Sequence, residues 1–76
     1  MLLENESGRN VSIYWFNYIG DMRWYESMAD GDSRLLSSFV EHAWVTTDGD
    51  GLVVPMNGQC LHTKSAEFEI VTLSFG

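Results

Sequence analysis

Ser38, His42 and Trp44 stand at even spacing within one stretch of the chain. In an extended backbone, residues of one parity share a face, so a hydroxyl, an imidazole and an indole would line up in a row. Trp15 and Tyr25 fall on a neighbouring hairpin-like stretch and can wall the same patch. Aromatic walls around one or two polar groups suit a compact, mostly apolar ring with a single polar handle. Periodicity by itself favours a plainer arrangement, with Trp15 and Trp44 in the core and Ser38 and His42 satisfying each other.

Other chemistries fit these residues less well. Ser38 and His42 with a carboxylate would give hydrolase components, but a nucleophile of that kind sits on a strained elbow beside an oxyanion hole. Ser38 lies instead in a β-rich run with no adjacent glycine. Cys60 and His62 alternate onto one strand face and His42 could join them, yet zinc needs three or four ligands, which nearly exhausts the supply. Residues 30–41 place Asp30, Asp32 and Glu41 as in a calcium loop, but Arg34 and Leu35 occupy positions that need a ligand and a glycine. Asp48-Gly49-Asp50-Gly51 fails likewise, because Leu52 stands where the third ligand belongs. The reading is a binding domain without metal or cofactor.

The elements that must position these residues are short. Residues 11–19 form the clearest strand, rich in β-branched and aromatic types. Gly20-Asp21 is its turn, and residues 22–28 return as the second arm of a hairpin. Asp30-Gly31-Asp32-Ser33 is the next turn. Residues 34–40 and 43–47 are further runs, interrupted near Glu41-His42, and residues 48–51 are a loop. Residues 52–54 stop at Pro55, and residues 67–75 alternate as a last strand. No window holds a helical stripe over ten residues. The pattern predicts an all-β fold, a small β-sandwich of about seven short, mainly antiparallel strands. Tyr14, Phe16 and Tyr18 have the parity opposite to Trp15 and are expected in the core. Cys60 is expected as a small buried residue, His62 as a solvated one, and Trp24 as hairpin packing or exposed.

A chain of 76 residues is expected to form a single domain, 1–76. So small a domain has little core, and ten aromatic side chains compensate. The formal net charge of −7 opposes phosphate backbones and anionic lipids, so neither nucleic acid nor membrane is an expected partner. Cys60 is the only cysteine, which precludes an internal disulfide and fits a reducing compartment. The first residues have neither the basic region nor the apolar run of a signal peptide, so an intracellular, cytoplasmic location is expected. Two glycosylation sequons, at Asn5 and Asn10, read as chance.

Trp15-Phe16-Asn17-Tyr18-Ile19-Gly20, then Tyr25, then Ser38-Phe39-Val40-Glu41-His42-Ala43-Trp44, resembles the β domain of the von Hippel-Lindau tumour suppressor family. That family carries a tryptophan in a W-hydrophobic-N-x-x-G strand and hairpin. A tyrosine follows ten residues later, and a serine in an S-aromatic-x-x-H-x-W segment thirteen beyond that. These spacings are met here without a gap. Asn5-Glu6-Ser7 resembles the family's N-R-S segment. The similarity covers roughly residues 3–54 and fades after Pro55.

The resemblance implies a peptide-recognition domain rather than an enzyme. Trp15, Tyr25 and Trp44 would wall the pyrrolidine ring of a 4-hydroxyproline, with Tyr25 also meeting the peptide main chain, and Ser38 and His42 would bond its hydroxyl. The partners would be prolyl-hydroxylated proteins, of which hypoxia-inducible factor α is the familiar case. The departures fall beside these residues. Ser37 replaces a histidine, the stretch from Asp21 to Trp24 lacks prolines, and Glu6 replaces a basic residue, which puts the flanking preference in doubt. No helical α domain follows, so recruitment of elongin C and a cullin ligase is not expected. The alternative is an interaction domain of this fold whose ligand is not hydroxyproline.

Overall fold

A computed structural model describes residues 1–17, 19–36, 43–63 and 68–76. These residues form seven strands: β1 (Leu2–Asn5), β2 (Val11–Phe16), β3 (Met22–Met28), β4 (Ser33–Leu35), β5 (Ala43–Asp48), β6 (His62–Thr63) and β7 (Ile70–Leu73). They build two sheets, ordered β4-β1-β7 and β3-β2-β5-β6. Every strand pair is antiparallel except β1 with β7. The expected all-β sandwich is therefore the observed fold. No helix among the described residues is long and apolar enough to cross a membrane.

The core lies between the sheets. Leu3, Val71 and Leu73 come from the three-stranded sheet, and Val11, Ile13, Met28 and Trp44 from the four-stranded one. Val54 and Met56 close one side. The segment carrying them leaves β5, where Thr47 pairs with Val53, and reaches β7, where Met56 pairs with Leu73. It thereby stitches one sheet to the other with backbone hydrogen bonds, Val54 N to Thr46 O at 2.8 Å and Ser74 N to Pro55 O at 3.1 Å. Asn57 adopts a left-handed backbone (φ 51°) at its turn and lends its Oδ1 to Thr72 N at 2.8 Å.

β2 ends at Phe16, three residues short of the expected run, whereas β3 spans the expected residues. β4 is shorter than the expected 34–40; residues 37–40 lie outside the described residues. β1 was not apparent from the pattern. It is four residues long and sits in the middle of its sheet, held by partners about thirty and seventy residues away. Such pairing leaves no local signature. The inward face of β2 also differs from expectation. Val11 and Ile13 are buried and share the parity of Trp15, while Tyr14 and Phe16 are only half-buried on the outer face. The register decides this, because Ile13 faces Thr46 and Trp15 faces Trp44, both buried. Tyr18 lies outside the described residues.

A polar hub holds the end of the sandwich where β1 and β2 meet. Asn5 is 1% exposed. Its Nδ2 donates to Arg9 O at 2.8 Å and Ala29 O at 3.1 Å, and its Oδ1 accepts from Ser7 N and Ser7 Oγ at 3.1 and 2.7 Å. One side chain thus ties the β1–β2 loop to the turn after β3. The same bonds leave the first sequon no free amide nitrogen in the folded protein. Asp48, at the end of β5, accepts from Asp50 N and Leu52 N at 2.9 Å each and from Arg9 Nη1. These bonds explain the Asp48–Leu52 loop, where Gly51 supplies the positive φ that closes it. The Arg9 guanidinium also lies 5.0 Å above the Phe75 ring.

Desolvation alone would raise the Asp48 pKa. The Leu52 N–H, the Arg9 guanidinium and the Asp50 N–H outweigh it and hold the carboxyl below its ordinary 3.8. A group with a depressed folded-state pKa contributes stability that is complete above the unfolded value and is lost as pH falls through the folded one. Asp48→Asn should therefore lower stability at neutral pH and flatten the loss of stability on acidification below about pH 4, read by urea unfolding across pH. Asn5→Ala should cost roughly 1–3 kcal/mol in the same assay, because the Met28 and Ala29 carbonyls lose their side-chain donor and Ser7 N its acceptor. Asn5→Asp should cost no less, since a carboxylate offers those carbonyls no donor.

Candidate functional site

At the opposite end of the β2–β5 ladder from the Asn5 and Asp48 hub, the sandwich is aromatic. Trp15 on β2 lies directly across from Trp44 on β5, and Trp44 lies across from His62 on β6. Directly opposed residues of an antiparallel pair share a face, with Cβ atoms about 5 Å apart. Arg23 of β3 completes the row beyond Trp15. Trp44 is 2% exposed and belongs to the core, and Trp15 is half-buried and packed against it.

Tyr25 reaches this cluster through an irregularity in β3. Ile13 pairs with Glu26 and Tyr14 with Trp24, so Tyr25 is the extra residue of a β-bulge. In a regular ladder it would oppose Tyr14 and face away from the tryptophans. A bulge re-aims a side chain, and here the Tyr25 ring stands edge-on to Trp44, with centroids 5.4 Å apart and planes at 84°. That T-shaped contact suits the ring quadrupoles. Tyr25 stays 41% exposed, so the cluster grades from a buried floor at Trp44 through Trp15 to an accessible rim at Tyr25.

The structure thus brings together three of the five residues singled out in the sequence: Trp15, Tyr25 and Trp44. Ser38 and His42 lie outside the described residues. Two expectations nearby are corrected. Cys60 is exposed, because it falls in the turn beyond Gln59 rather than on a strand. His62 is 7% exposed rather than solvated. β6 turns it inward beside Trp44, and its Nε2–H donates to Glu69 Oε1 at 2.9 Å. In the sequence His62 enters only as a zinc ligand with Cys60, and Glu69 does not stand out. The one available signal was the alternation Glu69, Val71, Leu73, which places a carboxylate on an otherwise apolar face.

A family model described as the VHL beta domain matches residues 1–67. The chain belongs to the VHL beta domain family. The match runs past residue 54, where the visible similarity fades, and takes in β6 with His62. No curated protein matches the chain significantly. In this VHL β domain the bulge in β3 and the register of β2 with β5 are the two devices that assemble the aromatic cluster.

The graded burial predicts unequal roles. Trp44→Ala should destabilise the fold by about 3–5 kcal/mol, as expected for a buried aromatic. Tyr25→Ala should cost about 1 kcal/mol, the size of one edge-to-face contact at a partly exposed site. Chemical denaturation of both variants measures the difference, and equal losses would place Tyr25 in the core instead.

Proposed function

We propose that this VHL β domain is a recognition module for peptides that carry 4-hydroxyproline, with Trp15, Tyr25 and Trp44 as the walls around the imino-acid ring. The reading is carried by the meeting of Tyr25 with Trp44 beside Trp15, which the β3 bulge makes possible. A pyrrolidine ring is compact and apolar, and a graded aromatic cluster with an open rim offers it contact area at little entropic cost. In this proposal Ser38 and His42 bond the hydroxyl, and Tyr25, the most exposed of the three aromatics, also meets the peptide backbone. The family's role in substrate recognition supports binding over catalysis.

The aromatic walls bind proline and hydroxyproline alike, so discrimination falls to the polar pair. A neutral hydrogen bond adds only ~0.5–1.5 kcal/mol net. Unmodified proline would deprive Ser38 and His42 of the ligand hydroxyl, at ~1–3 kcal/mol for each polar group that the bound peptide shields from water. The resulting preference is roughly 2–6 kcal/mol, or about 30-fold to 10⁴-fold.

Calorimetry with paired short peptides, identical except for the prolyl hydroxyl, tests this. The hydroxylated form should bind at least about 30-fold more tightly. Ser38→Ala and His42→Ala should shrink the ratio, whereas Tyr25→Ala should weaken both forms together. Equal affinities for the two forms in the unaltered protein would sink the reading and favour a ligand other than hydroxyproline.

A further inference from the structure

We propose that His62 is a positioning residue for Trp44, locked in place by Glu69, and that this pair sets the geometry of the aromatic cluster from the β6 side. The inference rests on the hydroxyproline reading only for its ligand readout. Its structural part stands on β5, β6 and β7 alone.

His62 is the register partner of Trp44 and turns to the same inner side. β6 is only two residues long and forms the edge of its sheet, so backbone pairing alone holds the imidazole weakly. Glu69 supplies the missing restraint. It immediately precedes β7 and continues the inward parity of Val71 and Leu73, which are fully buried, while Phe68 and Ile70 point out. Its backbone oxygen accepts from Leu2 N at 2.8 Å, which fixes it to the three-stranded sheet. The bond from His62 Nε2–H to Glu69 Oε1, at 2.9 Å, therefore runs from the four-stranded sheet to the residue that leads into β7, beginning at the cross-strand partner of Trp44. The two side chains are 9% and 16% exposed.

Two apolar residues would fill this space at no loss of stability, since a buried polar pair is seldom worth more than good hydrophobic packing. What apolar residues lack is direction. A hydrogen bond to a carboxylate holds the imidazole plane at one angle, and the neighbouring indole packs against a surface of defined orientation. Trp44 in turn meets Tyr25. Orientation at Glu69 thus passes through His62 and Trp44 to the accessible rim.

The test uses the full chain, with the Trp44 indole N–H resonance assigned through Trp44→Phe. Glu69→Gln keeps an acceptor for His62 and should leave both the resonance and hydroxyproline-peptide affinity within about twofold. The double variant His62→Phe with Glu69→Leu replaces the pair by apolar packing. It should fold, yet shift or split the Trp44 resonance and weaken peptide binding on the order of tenfold, the size of one lost charge-assisted bond. Should the double variant not fold, Glu69→Leu alone keeps the imidazole, removes its acceptor and carries the same readout. An unchanged Trp44 resonance and unchanged affinity in a folded variant would overturn the proposal. A shifted resonance in a protein with no preference for hydroxyproline would support the positioning role and count against the hydroxyproline reading instead.

Discussion

The register of β2 against β5 governs the rest of the molecule. Six consecutive pairs, from Val11 with Asp48 to Phe16 with Ala43, fix which side chains enter the core. Side chains alternate across a sheet with a period of two, so a slip of β2 by one residue would leave Trp44 in place but turn Val11, Ile13 and Trp15 to solvent and Tyr14 and Phe16 inward. Polar groups guard against that slip. Thr46 lies on the core face with its hydroxyl donated to Val54 O at 2.9 Å, and Asp48 closes the same face with its loop N–H groups and Arg9. Buried polar groups with specific partners tolerate one register only, because any other leaves them unpaired.

The ladder also divides labour along its length. Four residues separate the Val11–Asp48 pair from the Trp15–Trp44 pair, a distance of roughly 14 Å along a strand. One end is tied by Asn5, Asp48 and Arg9 through bonds to loops and turns. The other end carries aromatic rings, one of them exposed, and a bulge that interrupts the regular pairing of β3. The polar anchoring of loops lies at one end, and the aromatic end combines a core tryptophan with an accessible rim.

Much of this was legible in the sequence, and the failures share a cause. The hairpin of β2 and β3, the Asp48 loop and the all-β class follow from β-branched and aromatic runs punctuated by glycine and aspartate. Trp15, Tyr25 and Trp44 were visible as candidates through their types and through resemblance to the von Hippel-Lindau β domain. What stayed hidden depended on partners distant in the chain. β1 reads as a strand only once β4 and β7 flank it. Placing Trp15 at a site leaves the opposite parity, Tyr14 and Phe16, for the core, whereas the partners on β5 turn Val11 and Ile13 inward together with Trp15. The bulge at Tyr25 has no glycine to announce it, and the inward turn of His62 requires a carboxylate from another sheet.

The same dependence on distant partners bears on how such a domain could change its ligand without changing its fold. The walls at Trp15 and Trp44 are shared with the core, so altering them costs stability and they are constrained for reasons unrelated to binding. Tyr25 is different. Its place at the rim comes from an extra residue in an edge strand, where a bulge can move or disappear with little effect on the β2–β5 ladder. Arg23 and Trp24 lie on that same edge strand and are exposed, so they can vary freely as well. A floor held rigid by packing and a rim set by an edge strand let specificity drift at the rim while the aromatic floor persists. On the proposed reading, recognition of the ring rests on the packed floor, and selection among peptides is left to β3.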